Sequence, residues 1–436
     1  MENRLRDILS PLTVWAAMSV ILAGALTSKP AAIVAVGFLL VLLGWAVLGA
    51  QRFGAAAICL SMFFAPASRL TVPGAGFATI SDVFFVLGAG ILLPGLIGKP
   101  ARLPWQFLAG SVLFLAGGVI SGIVGGAPTA TSLNVLARMA AAMVLMPAYL
   151  AWWAPSRKTL VAIAGSYLAG VQMSMIAGLI NGPDPLTGRV IGLAEQPTGH
   201  GYAAILGACL LPFLYASVPK NWRPILLVGA AGCLYTIWVS GSRASLLVGI
   251  LLALAFPILE RSLKAGAVLG VALVAGFVSI THDAPGANSS SALARLLGGS
   301  GSKGSTEERL NNTLNALDAY ARNPWFGTGW RSDTWYAHNM YAQVGEAMGT
   351  VGLLFFLLLL VGYVMPFATA PRPYRFLVYP AVAFIVAGPI TPNLSSRFVG
   401  LVVGLGVVAM ASLARERAEA AEGQPVADAA KPRLNA

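Results

Sequence analysis

Apolar runs of roughly twenty residues follow one another along most of this chain, and that recurrence limits the fold before any motif is considered. Inside hydrocarbon every backbone N–H and C=O needs a partner within the protein, so repeated runs of this length read as helices. Fourteen candidate spans can be marked, near 11–28, 31–49, 54–66, 80–97, 105–124, 132–151, 159–181, 200–217, 222–240, 243–259, 264–281, 346–369, 375–390 and 396–413. The third is short and stops at Pro66, which suits a partial or re-entrant helix, and closely spaced neighbours can merge. Only 10% of the 436 residues are charged, against about a quarter in soluble chains. The expected fold class is an all-α polytopic integral membrane protein of about 12–14 transmembrane helices.

Orientation follows from lysine and arginine, which gather in cytoplasmic loops. With Arg4 and Arg6 inside, alternate loops hold Arg52, Lys99 and Arg102, Arg157 and Lys158, Lys220 and Arg223, Arg261 and Lys264, and Arg372 and Arg375. Counting Arg415, Arg417, Lys431 and Arg433 of the tail, 17 of the 28 basic residues fall inside. Both termini are therefore expected in the cytoplasm. The charged, apolar N-terminus reads as an uncleaved first helix, because further spans follow it. Four segments result: a helical bundle over 1–281, a large outer loop with short helices over 282–345, C-terminal spans over 346–413, and a disordered charged tail over 414–436. Cys59, Cys209 and Cys233 lie in or near apolar runs without metal-ligand spacing and read as small buried hydrophobes.

Eleven basic residues fall outside or within spans: Lys29, Arg69, Arg138, Arg189, Arg243, Arg295, Lys303, Arg309, Arg322, Arg331 and Arg397. Nine are arginine, the side chain suited to bidentate phosphate binding, so an anionic partner is expected on the outer face. The outer loop opens with a Gly/Ser-rich stretch to about residue 305. A capping-box pattern at Ser305 or Thr306 then predicts a helix running to Pro324, with Leu310, Leu314 and Leu317 on one stripe and Arg309 in its first full turn. A loop this long is functional when it is ordered.

His338 is the leading catalytic candidate. It stands in an aromatic and amide-rich run with Trp335, Tyr336, Asn339 and Tyr341 that suits a sugar, and Glu346 follows two helical turns later. Its neutral imidazole can take a proton from a hydroxyl near operating pH; the bland alternative is a histidine fixing the start of a helix. Arg243 opens a span where both helix dipole and topology disfavour a cation, with lipid snorkelling as the alternative. Arg189 sits in a Pro/Gly-shaped outer loop, where an ordinary exposed residue would look the same. Arg138 and Arg397 fall a few residues inside spans, where ionisable groups are functional candidates or are paired structurally. No paired-carboxylate motif, His/Cys cluster or phosphate-binding glycine loop stands in the sequence, so no metal site, cofactor or nucleic-acid partner is expected, and arginine has to supply the charge for a phosphorylated lipid.

Four stretches taken in order resemble the O-antigen ligase superfamily, which joins lipopolysaccharide O-antigen ligases, O-antigen polymerases and O-linked protein oligosaccharyltransferases. They are "GRVIGLAEQPTGHGYAA", "SGSRASLLVG", "EERLNNTLNALDAYARNPWFGTGW" and "HNMYAQVGEAMGTVGLL", and the likeness runs over roughly residues 181 to 370. The resemblance implies a metal-independent, inverting glycosyltransferase of the GT-C type in the bacterial inner membrane. Its donor would be undecaprenyl-pyrophosphate-linked O-antigen on the periplasmic side, and its acceptor lipid A–core oligosaccharide. It also implies roles: Arg189, Arg243 and Arg309 toward the pyrophosphate, His338 toward the acceptor hydroxyl, with Arg138, Asn339, Glu346 and Arg397 secondary. A polymerase or protein oligosaccharyltransferase of the same superfamily is the alternative; a lipid-linked glycan flippase fits less well, because the unusual charges gather at the outer edge rather than at mid-membrane.

Overall fold

A computed structural model of the protein describes residues 44, 46–72, 75–127, 129–185, 187–262, 292–296, 302–331, 337–391, 394 and 396–422. The expected spans 11–28 and 264–281, most of 31–49, and Trp335 and Tyr336 lie outside the described residues. Among those described, seven helices are long and apolar enough to cross a membrane, and four shorter apolar helices accompany them. The chain is a helical, multi-pass membrane protein.

Two compact units divide it: Met1–Ser61 with Val83–Lys99, and Met62–Asp82 with Pro100–Ala436. In the first, α1 (Ala50–Phe64) and α2 (Ile80–Leu92) meet where Leu92 covers Gly54. The second unit contains a small hairpin absent from the sequence reading, β1 (Thr71–Val72) against β2 (Ala75–Thr79), antiparallel with Thr71 opposite Thr79. Its helices are α3 (Trp105–Val124), α4 (Ala130–Trp153), α5 (Arg157–Asn181), α6 (Pro197–Ser217), α7 (Arg223–Val239), α8 (Arg243–Leu259), α9 (Ala292–Leu296), α10 (Ser302–Arg322), α11 (Met340–Val364), α12 (Tyr379–Ala387), α13 (Arg397–Val403) and α14 (Leu405–Glu422). The last continues to Glu422, so residues 414–422 are helical where an unstructured tail was expected.

Packing at the centre depends on small residues, because lipid tails provide no hydrophobic drive between helices and close backbone approach replaces it. A Cβ added at Gly110 of α3 would lie 2.6 Å from the Leu359 backbone of α11, and one at Gly362 would lie 2.6 Å from the Phe107 backbone. Phe107 meets Tyr363 edge-on at 5.4 Å, and Phe114 meets Phe356 at 5.6 Å. In α4 the turn Ala141–Leu145 widens to π geometry, and the Tyr363 hydroxyl donates to the Met143 carbonyl there.

α11 has 25 residues, about 38 Å at 1.5 Å per residue, which exceeds the ~30 Å hydrocarbon core. It is also broken. Gly349 takes φ +64°, ψ −166°, which disrupts the backbone ladder and leaves donors and acceptors unpaired. The segment after α10 supplies the missing partners. The Pro324 carbonyl accepts from Thr350 N (2.7 Å) and the Trp325 carbonyl from Val351 N (3.3 Å), while Thr328 N and Gly329 N donate to the Glu346 and Ala347 carbonyls at 2.8 and 2.9 Å. A Cβ at Gly349 would lie 2.4 Å from the Trp325 backbone, so only glycine fits both the left-handed conformation and the space.

Candidate functional site

The turn joining α7 to α8, "VSGSR", collects several of the arginines that were expected on the outer side. Two guanidinium groups anchor on its carbonyls: Arg189 Nε donates to Ser240 O at 2.8 Å, and Arg295 Nη1 to Gly241 O at 3.1 Å. Carbonyls at a helix C-terminus are its negative pole, so they attract and orient cations. Arg243 follows as the first residue of α8, after Ser242, whose hydroxyl caps the helix by accepting from Ser245 N at 3.3 Å. Its Nη2 donates to Thr306 Oγ1 of α10 at 2.9 Å.

The loop before α6 brings Arg189 to this turn. Asp184 accepts from Thr187 N at 3.0 Å and Thr187 Oγ1 at 2.7 Å, and Gly188, at φ +63°, donates to the Asp184 carbonyl at 2.7 Å. Val190 N then donates to the Val239 carbonyl at 3.1 Å, tying the loop to the end of α7.

Arg309 arrives by helical periodicity. Residues 309, 313, 316 and 320 repeat at intervals of four and three, one face of α10. On that face Thr313 Oγ1 donates to the Ala337 carbonyl at 2.7 Å, Ala316 is buried with Ala337 and Ala342, and the Tyr320 hydroxyl meets Thr350 Oγ1 at 2.8 Å. α10 begins at Ser302, earlier than expected, so Arg309 stands past the first turn and no dipole argument applies to it. Leu310, Leu314 and Leu317 form a separate, exposed stripe.

His338 lies at the top of this packed face. Thr313 holds the carbonyl of the buried residue before it, and Asn339 caps α11 by accepting from Tyr341 N (3.0 Å) and Ala342 N (3.1 Å). Between these two fixed points His338 adopts φ +50°, a left-handed conformation that side chains other than glycine adopt at a cost and that recurs at functional sites. The helix starts only at Met340, so His338 and Glu346 do not share a helical face. Glu346 instead stands just before the Gly349 break, its carbonyl accepting from Thr328 N.

The electrostatics are those of crowded cations. Burial, followed by repulsion from Arg295, Arg309 and Arg243, pushes Arg189 down to about 9, which still leaves it charged at neutral pH. Burial and then Arg243 lower Arg309, with Glu308 offsetting part of the effect, and burial with Arg243 and Arg309 lowers Arg295. His338 is lowered by burial and by Arg309, against a smaller opposite pull from Glu308, so its imidazole is neutral at pH 7. Four guanidinium groups and one neutral imidazole thus act on one another at a single end of the helices, an arrangement that an anion would relieve.

The other candidates lie elsewhere. Arg397 pairs with Asp82 at 3.1 Å, so the structural alternative describes it. Arg138 is exposed on α4. The Tyr341 hydroxyl donates to the Ile385 carbonyl at 2.9 Å. Arg331 braces the segment after α10, reaching the Thr328 and Gly125 carbonyls at 3.1 and 3.2 Å. Among the described residues no three His, Cys, Asp or Glu side chains gather as a metal site. Arg295 is the member that sequence reasoning passed over: it was counted among the outer cations, but nothing around it in sequence separated it from the rest.

Residues 227–357 match the family model for O-antigen ligase. That interval begins within α7 and ends within α11, so it takes in the α7–α8 turn, α10 and His338. No curated protein matches the chain.

Proposed function

We propose, on the match of residues 227–357 to the O-antigen ligase family model, that this chain is a periplasm-facing, inverting glycosyltransferase that moves O-antigen from undecaprenyl pyrophosphate to a hydroxyl of lipid A–core oligosaccharide. The observation that carries the reading is the meeting of Arg189, Arg243 and Arg309 beside a neutral His338. In this reading the three guanidinium groups hold the diphosphate of the donor. His338 removes the proton from the acceptor hydroxyl as its oxygen attacks C1 of the donor sugar. The C1–O bond to phosphate breaks from the opposite face, the diphosphate keeps the electron pair, and configuration inverts.

Fixed cations aimed at a leaving group stabilise the charge that grows on it without reorganising. A positioned base typically adds ~10²–10⁴ in rate. No metal ion is required in this scheme, because arginine neutralises the diphosphate. The topology that supports it has both termini in the cytoplasm of the inner membrane, with the lysine- and arginine-rich loops inside and the arginine group outside.

The test is transfer by purified protein supplied with lipid-linked O-antigen, a chelator and one acceptor at a time: lipid A–core, a second lipid-linked repeat unit, or an acceptor protein. Extended lipid A–core as the main product is expected. Elongated donor or glycosylated protein would move the reading to the polymerase or the protein-directed branch, and transbilayer movement of donor without glycosidic product would end the enzyme reading.

A further inference from the structure

The α7–α8 turn holds one guanidinium more than the transfer scheme above employs. Arg295 belongs to α9, a five-residue helix whose Ala292 is fully buried and which packs against α7 and α8. Its anchor, the Gly241 carbonyl, is the residue after the Ser240 carbonyl that holds Arg189, and Arg243 follows two residues later. Three guanidinium groups drawn from three separate parts of the chain therefore converge on a four-residue turn.

We propose that Arg295 is a fourth diphosphate-binding residue, carried to the donor by the large loop; this rests on the transfer reading. A guanidinium presents its N–H donors as a planar fork that matches a phosphate in a bidentate contact. The anchor orients it, as Ser240 orients Arg189. Arg295 is also the foremost charge acting on Arg189, which agrees with the geometry. Breaking the C1–O bond leaves one more negative charge on the diphosphate than the intact donor carries. A fourth cation therefore matters most for the leaving group.

A purely structural strut between α9 and α7 would make a different prediction. Full-length protein in nanodiscs is titrated with undecaprenyl pyrophosphate and, separately, with undecaprenyl monophosphate. Arg295→Ala is expected to weaken the diphosphate by ~10–100-fold, the range of a lost charge-assisted bond, and the monophosphate much less. Arg295→Lys should recover part of the difference, since it restores charge without the fork. Unaltered diphosphate binding by folded Arg295→Ala, or equal losses for the two lipids, overturns the proposal. If Arg243→Ala weakens the diphosphate while Arg295→Ala does not, the fourth-residue proposal alone fails. If wild-type protein binds neither lipid, the transfer reading fails with it.

Discussion

At one end of α8, Glu260 is buried and shared by Arg372, Arg375 and the Tyr379 hydroxyl, the last at 2.9 Å. At the other end Arg243 stands with Arg189, Arg295 and Arg309, and the charges that act most on one another there are alike. Burial opposes ionisation of Glu260, but its hydrogen bonds from Arg375, Tyr379 and Arg372 outweigh that and lower it overall. At the Glu260 end one carboxylate thus holds two guanidinium groups, and the ring of Tyr379 packs against Phe256 and Phe376. At the Arg243 end, the Ser240 and Gly241 carbonyls at the close of α7 hold Arg189 and Arg295. A carboxylate held by cations within the fold ties helices together; cations gathered where their strongest effects on one another are repulsive form a candidate place for an anion.

His338→Ala should divide the two ends most sharply. Transfer is expected to fall by ~10²–10⁴, with detergent-extracted protein melting as wild type does; an unchanged ladder of capped lipopolysaccharide from a complemented ligase-null strain would remove His338 from the mechanism. Glu260→Gln should do the reverse. Because Arg372 is half in solvent, the loss is put at about 2–3 kcal/mol of stability rather than the full cost of breaking a buried pair. It is measured as a lower melting midpoint, with transfer per folded molecule unaltered.

Arg243→Lys keeps the charge and loses the fork, and about a tenfold drop in transfer is expected; equal product yield would leave only lipid snorkelling. The smallest effect is in pH. His338 must be neutral to accept a proton, and its lowered value puts the acid limb of kcat/KM below 6.5. Arg309→Ala removes the cation that helps depress it, so that limb should move up toward 6.5. A limb that stays in place would mean that Arg309 and His338 do not act on each other in solution.

Much of this protein can be read from its residues. Apolar runs identified helices because hydrocarbon leaves the backbone no other partner, and the lysine and arginine bias chose an orientation. Arg243 and His338 could be singled out because a cation or titratable group at a span edge is conspicuous, whereas Arg189 took its expected role from the family resemblance. Arg295 could not, since its significance is a hydrogen bond to a carbonyl 54 positions away. Arg397 illustrates the reverse: it looked functional until Asp82 appeared beside it.

The stretches "NPWFGTGW" and "GEAMGTVGLL" helped to carry the family resemblance, but what their glycines do was not legible in them. Only in three dimensions do Pro324, Trp325, Thr328 and Gly329 repair the ladder that Gly349 interrupts. Composition and periodicity depend on neighbours along the chain and on the solvent around it, so they determined a membrane-embedded helical protein with arginines near the ends of several spans. Which cations share a site, and which are already neutralised, depends on groups distant in sequence brought within a few ångströms, where Coulomb energy and hydrogen bonds act, and the tertiary structure alone decided it.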